Sequence, residues 1–493
     1  MTSLREECGI AAVVGCPSAA HFLHLALFAL QHRGQEGCGI VTGFFEEAAE
    51  KSAKLKFKLS EYRNFGLVND NFTSEVVAEL KGETGIGHVR YSTFGGKLLN
   101  NIQPFSFALP GIGPMALAHN GNITNAKPLR ERLEAEGSLF RTTSDSEVFL
   151  HLMARSQERD IVNAIKHAMA QVSGAYSLVI LSQDAIFAIR DPFGFRPLAI
   201  GERQNERGEK VYIAASETCA FDLLEAQYLR DVEPGEIVKL SSRKGGASEI
   251  ESFSGLPPKA RSYCAFEPIY FSRPDSYSYD QQIYSLRQNL GRILAEEQPA
   301  DADVVIAIPD SGVPMAIGYA EQAKIPYQVG LVRNHYVGRT FIDPNQASRD
   351  FRVRLKLNPL PSVLAGKRVV VVDDSVVRGT TCVKILAMLR KAGAKEIHFR
   401  VAAPPITHSC FFGVDTPDRA RLLAAQKTVQ EMREYVGADS LGFISVEGLS
   451  RALEVSTKNQ YCKACFTGKY PDKIHREIGT APTDSGGPGL RAP

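Results

Sequence analysis

Tryptophan is absent from the 493 residues, and no apolar run approaches the ~20 residues that a helix needs to cross a bilayer. A membrane-spanning helix is therefore not expected. A surplus of charge is equally lacking: Lys plus Arg number 57 and Asp plus Glu 55, a net of +2. That balance points to neither nucleic acid nor a membrane surface as partner. The chain also starts without a targeting pattern, since Met1–Glu7 (MTSLREE) has no apolar core and carries two glutamates. A cytoplasmic, reducing location follows as the expectation. Nine cysteines in such a compartment are free, catalytic or metal-bound rather than paired. No internal repeat is seen. Hydrophobic residues make up 44% and charged ones 23%, as in globular proteins, and the length exceeds what one ordinary core supports.

Two textures divide the chain. The first ~250 residues read as short strands with a few helices. HFLHLALFALQHR (His21–Arg33) has an apolar helical pattern, whereas GIGHVRYST, MALAHNG, YSLVILSQDAIFAIR and KVYIAAS are strand-like. Ser241–Lys259, rich in Ser, Gly, Lys and Pro, marks a junction. From about Tyr263, helical stretches alternate with the apolar runs ADVVIAI, YQVGLV, KRVVVV and EIHFRVA. Such runs are buried parallel strands of an α/β sheet. The last stretch, 479–493, is Pro/Gly-rich and is expected to be disordered.

Within the second half, Val369–Thr381 reads VVVVDDSVVRGTT. Ligands of parallel sheets collect beyond the carboxyl ends of the strands. Asp373 and Asp374 lie there, as acceptors for vicinal hydroxyls or ligands for a hard cation. Arg378, Gly379, Thr380 and Thr381 then lead into a helix from Cys382 to Lys391, and N–H groups at a helix start can surround a phosphate. An ordinary βα turn would not need two acids, a glycine and two threonines together. The segment resembles the signature of type I phosphoribosyltransferases, which use phosphoribosyl pyrophosphate (PRPP). PDSGVP, with Ser311 and Gly312, agrees with that resemblance, as does the basic loop Arg333–Ile342 (RNHYVGRTFI), which contains Arg339.

In the first half, Cys8 precedes an apolar strand, followed by QHRGQEG (Gln31–Gly37), GHVRYST (Gly87–Thr93), AHNGNI (Ala118–Ile123) and TTSDSE (Thr142–Glu147). In order and spacing these resemble the glutaminase domain of amidotransferases with an N-terminal nucleophile, whose fold is a four-layer αββα sandwich. The resemblance implies removal of residues 1–7 as a propeptide. Cys8 would then hold its own α-amine, with pKa near 7.7–8.0, as the base for its thiol. Asn120 and the Gly121 N–H would form the oxyanion hole, a contribution of ~3 kcal/mol per donor. Arg90 and Asp145 would hold the α-carboxylate and α-ammonium of glutamine.

With both halves together, the chain resembles the glutamine PRPP amidotransferase family, which opens de novo purine synthesis. The fold implied is the αββα sandwich over 8–250, then an α/β phosphoribosyltransferase domain with a parallel sheet over 263–470. Ammonia released at Cys8 would reach the ribose through a channel. Ser311, Asp373 and Asp374 would hold Mg²⁺ and PRPP; Arg339, Arg378, Gly379, Thr380 and Thr381 would complete the PRPP site. Arg333 and His335 replace a Lys and an Arg common in the family's loop. Cys462 and Cys465 form a CxxC pair that Cys264 and Cys410 could complete. Four thiolates suit either tetrahedral zinc or an iron–sulfur cluster, and the resemblance implies [4Fe–4S]. Cys16, Cys38, Cys219 and Cys382 read as packing residues. Homotetramer formation and feedback by purine nucleotides are implied by the resemblance alone. Other glutaminase-coupled synthetases would lack the PRPP loop, and a PRPP-sensing regulator would not need Cys8, Asn120 and Arg90.

Overall fold

The computed structural model describes residues 8–46, 56–91, 98–183, 185–242, 248–334, 356–453 and 460–472. Two antiparallel sheets dominate the first half. One has seven strands in the spatial order Gln227–Asp231, Ala199–Gln204, Lys210–Ala215, Gly9–Val14, Thr84–Arg90, Gly37–Glu46, Lys56–Phe65. The other has six, in the order Glu249–Ser254, Glu236–Ser241, Ala185–Arg190, Gly174–Ser182, Gly113–Ile123, Phe105–Leu109. Period-two alternation sends one side-chain set of each strand inward. Ile10, Ala12, Val14, Ile86, Ala116, Ala118, Val179 and Leu181 meet between the sheets as one buried cluster. The opposite faces are covered by helices. Ala19–Ala29 packs outside the first sheet with Leu23, Leu27 and Leu30. Ser146–Arg155 and Ile161–Met169 pack outside the second with Phe149, Leu152 and Ile165. The expected four-layer αββα arrangement is therefore present.

The Ser/Gly/Pro-rich stretch around 250 contributes the edge strand Glu249–Ser254, so the chain leaves this sheet only after Ser254. YSLVILSQDAIFAIR is two strands of a hairpin, with Gln183 at positive φ (50°) in its turn.

In the second half, four parallel strands run in the order Val304–Ala307, Arg368–Asp373, Glu396–Val401, Ser440–Phe443. The parallel sheet is as expected, with two differences in membership. YQVGLV does not join it as a strand: Tyr327 makes a single bridge to Val305, and Leu331–Arg333 pairs antiparallel with Leu357–Pro359. SLGF does join it, as the edge strand that covers Glu396–Val401. The two halves share buried contacts, detailed below, and among the described residues no helix is long and apolar enough to cross a membrane.

Candidate active sites and cysteine quartet

Cys8 precedes the first strand of the seven-stranded sheet. Two residues before Ile10, it points with Ile10 toward the space between the sheets. Arg90 ends the neighbouring strand, where Gly9 pairs with Val89 and Ile10 with His88. Cys8 and Arg90 thus share one face at one end of the sandwich. The Cys8 S–H donates to the Tyr91 carbonyl at 3.6 Å, and the Cys8 carbonyl accepts from Arg33 Nε at 3.3 Å. Burial pushes the thiol up to about 11, partly opposed by the Arg90 and Arg33 charges and reinforced by Asp145. Arg90 and Asp145 therefore act on the same sulfur from different segments. At neutral pH such a thiol is protonated, and it needs a nearby base to become a nucleophile.

Asn120 comes from the other sheet, in step with Ala116 and Ala118, and is fully buried. Neither its Nδ2 nor its Oδ1 has a hydrogen-bond partner. A buried amide left unpaired costs roughly 1–3 kcal/mol, so this one is held in readiness for a ligand or has a structural debt without return. Asp145 caps the helix Ser146–Arg155, and its Oδ2 accepts from the Ile123 N–H at 2.8 Å. That bond ties Asp145 to the strand carrying Asn120 and Gly121. His119 Nδ1 is bonded to Ser146 Oγ at 2.8 Å on the far side of the same strand.

The second candidate site lies at the carboxyl edge of the parallel sheet. Val304–Ala307 and Arg368–Asp373 are adjacent and in register, Ala307 with Val372, so the loops that follow them emerge side by side. Ser311 Oγ donates to one oxygen of Asp374 and Ser375 Oγ to the other. Asp373 accepts from the Asp374 N–H at 2.9 Å. Burial raises both carboxyls, Asp373 well above the usual range with the neighbouring Asp374 charge adding to it, and Asp374 against the opposing pull of its Ser311 and Ser375 hydrogen bonds. Adjacent acids in that condition fit a cation or hydroxyl donors, which would favour their ionised form. Gly379 follows at φ +71°, where an added Cβ would come within 2.7 Å of Leu423 Cδ2. The helix it caps starts at Thr380, two residues earlier than expected, and runs to Lys391. Arg378 sits at this turn with its Nε buried and unpartnered.

Cys264, Cys410, Cys462 and Cys465 line a single cavity with Phe195, Phe266, Phe412 and Tyr470. Parallel pairing of Tyr263–Cys264 with Tyr461–Cys462 brings two of the four into register. Cys410 Sγ accepts the Phe412 N–H at 3.3 Å. Burial raises the other three thiols, and their neighbours in the quartet add to it. All nine cysteines are free thiols. Among the described residues no three His, Cys, Asp or Glu side chains are close enough to hold one metal ion. Cys16, Cys38, Cys219 and Cys382 are buried in the hydrophobic cores, as packing residues should be.

Several expected site residues lie outside the described residues: the segment Met1–Glu7, His335, Arg339 and the tail 479–493. Of the basic loop only Arg333 and Asn334 are described, and Arg333 is paired with Asp310. Sequence reasoning missed a buried ion cluster at the junction of the halves, made of Arg33, Arg196, Glu217 and Glu267. Nothing in a linear sequence marks opposite charges from distant segments as buried together.

Models of two domain families match this chain: a glutamine amidotransferase domain over residues 88–222 and a phosphoribosyl transferase domain over 281–408. It is 49% identical over 469 residues to the chloroplastic amidophosphoribosyltransferase 1 of Arabidopsis thaliana, covering 95% of this chain and 79% of that one. It is 45% identical over 478 residues to the Bacillus subtilis amidophosphoribosyltransferase, covering 96% of each. A solved structure of the glutamine PRPP amidotransferase from B. subtilis, complexed with ADP and GMP, superposes with a TM-score of 0.85 at 44% identity, over 95% of this chain and 98% of that one.

Proposed function

The chain belongs to the amidophosphoribosyltransferase family, and from that membership we propose a division of labour among its residues. The reaction is that of a pentosyltransferase at the first step of purine biosynthesis. PRPP, glutamine and water give 5-phosphoribosylamine, glutamate and pyrophosphate. Cys8, freed of Met1–Glu7, attacks the glutamine amide, and its own α-amine takes the thiol proton. Asn120 and the Gly121 N–H receive the oxyanion; Arg90 and Asp145 hold the two ends of the amino acid. The observation that carries this is the unpaired Asn120 amide, buried in the layer that Cys8 and Arg90 also face.

Ammonia then passes within the chain to C1 of the ribose. Ser311, Asp373, Asp374, Arg378, Gly379, Thr380 and Thr381 bind PRPP, and Arg339 joins them from outside the described residues. Ser311, Asp373 and Asp374 would hold Mg²⁺, which when bound neutralises pyrophosphate charge. By the family resemblance, the quartet Cys264, Cys410, Cys462 and Cys465 would hold a [4Fe–4S] cluster rather than zinc. The four thiols line one shared cavity, as a group held by all four would require. Its role is structural, because the reaction transfers no electrons. The propeptide 1–7, an amidotransferase unit over 8–250 and a phosphoribosyltransferase unit over 263–470 remain part of the proposal. So do a homotetramer, a cytoplasmic location and feedback by purine nucleotides. The last is supported by the ADP and GMP held by the B. subtilis relative.

Replacing Cys8 by Ala tests the division. Synthesis from glutamine should be lost, while synthesis from added ammonium should persist. Loss of both activities in a folded variant would mean that Cys8 does not serve glutamine alone.

A further inference from the structure

A nucleophile at a chain end has no preceding residue to hold it, and chain ends fray unless tied down. The cluster at the junction ties this one. Arg33 Nε donates to the Cys8 carbonyl at 3.3 Å. The same guanidinium forks onto Glu267, Nη2 to Oε1 at 2.6 Å and Nη1 to Oε2 at 3.1 Å, and Nη1 also reaches Glu217 Oε1 at 2.5 Å. Glu267 belongs to the second half of the chain, three residues after Cys264. Its Oε1 accepts in addition from Arg196 Nη1 at 2.8 Å, and Arg196 Nε donates to the Phe412 carbonyl at 3.1 Å. All four side chains of the cluster are at most 1% exposed.

The loop at Cys410 touches the glutamine site by a second route. The Phe411 carbonyl accepts from Asn122 Nδ2 at 3.0 Å. A Cβ on Gly413, at φ +103°, would lie 3.1 Å from Arg196 Nη2 and 3.2 Å from the Gly121 carbonyl carbon. A carboxylate that fixes two guanidinium planes at once fixes whatever their remaining N–H groups bond. Here those are the backbone of the nucleophile and the backbone beside a quartet cysteine. Buried ion sets of this kind add little stability over apolar packing, so geometry is the better reason for one.

We propose that Glu267 is a positioning residue for glutamine hydrolysis, holding the Cys8 backbone through Arg33 and the Cys410 loop through Arg196. The acceptor half of the chain thereby sets the geometry of the nucleophile in the other half. This rests on Cys8 being that nucleophile.

The test uses full-length matured protein carrying Glu267→Gln, with Arg33→Lys as a second variant that keeps the charge but loses the fork and the Nε–H. Three quantities are measured: kcat and KM for glutamine, the rate at which the glutamine analogue 6-diazo-5-oxo-norleucine alkylates Cys8, and ammonium-driven synthesis. A shift of about 1 Å at a reacting atom costs on the order of 100-fold. The expected result is a glutamine-dependent kcat lower by roughly 10- to 100-fold, and alkylation slowed in proportion. KM and ammonium-driven synthesis should stay within about twofold. If Glu267→Gln does not fold, Arg33→Lys decides alone. Unchanged kcat and alkylation would overturn the proposal, as would equal losses from glutamine and ammonium, which indicate a general structural role. Cys8→Ala separates the two layers: if it still uses glutamine, the underlying reading fails, and if only it loses glutamine use, the positioning role fails.

Discussion

At the residue scale the central fact is a thiol that its surroundings keep protonated. Burial pushes Cys8 up to about 11 against the pull of Arg90 and Arg33. In a chain that retains Met1–Glu7, iodoacetamide should alkylate Cys8 slowly at pH 7. The rate should rise about tenfold per pH unit up to pH 10 without a plateau, because the thiolate fraction grows that way below the pKa. In the matured chain, glutamine hydrolysis should instead rise through the ~7.7–8.0 range of an α-amine and then level. Mass-resolved alkylation and a pH–rate profile check the pair; a matured enzyme whose rate still climbs at pH 10 would contradict the α-amine base. Asn120→Ala should lower the glutamine-dependent kcat by about 10²–10³ with little change in KM, as steady-state kinetics can show.

Cys8, Arg90, Asn120 and Asp145 could be picked out as candidates in the sequence because each sits in a short motif whose residue type the proposed chemistry needs. Arg33, Arg196, Glu217 and Glu267 could not be. Their meaning depends on being buried against one another across 184 and 234 positions of sequence, from Arg33 to Glu217 and to Glu267. That is a tertiary fact.

At the scale of elements, the strands with strong patterns were the ones that could be read. Arg368–Asp373 is buried on both faces and appears as an unbroken Val run. Ser440–Phe443 (SLGF) was missed because it is short, contains Gly442, and is only half buried at the sheet edge. YQVGLV looked like a sheet strand on apolarity alone, yet Pro326 precedes it and only Tyr327 bridges Val305. The βα turn at Gly379 yields a sharper expectation. A side chain there meets Leu423 and must adopt φ +71°. Gly379→Ala should cost about 1–3 kcal/mol of stability. It should also weaken PRPP binding, read by thermal melting with and without PRPP. A variant with wild-type melting and wild-type PRPP affinity would show that the turn does not depend on this glycine.

At the scale of the whole molecule, the quartet joins the end of the described chain to its middle. Cys462 pairs in register with Cys264, while the Cys410 loop reaches the strand of Gly121. Cys462→Ser should therefore lose iron and visible absorbance, and with them both glutamine-dependent activity and thermal stability. An iron-free wild-type enzyme with full activity would contradict the cluster. The association of the halves was legible only as two adjacent motif sets. What binds them, a shared carboxylate and a shared cysteine loop, became visible only in three dimensions.

On this reading one chain moves the amide nitrogen of glutamine onto a ribose phosphate. Its most direct test supplies amide-¹⁵N glutamine and PRPP to matured protein and follows glutamate, pyrophosphate and labelled phosphoribosylamine together. The prediction is release of glutamate and pyrophosphate in about equal amounts, the label in the amine, and little glutamine hydrolysis until PRPP is added. PRPP binding with glutamine left intact, or glutamate formed freely without pyrophosphate, would contradict it.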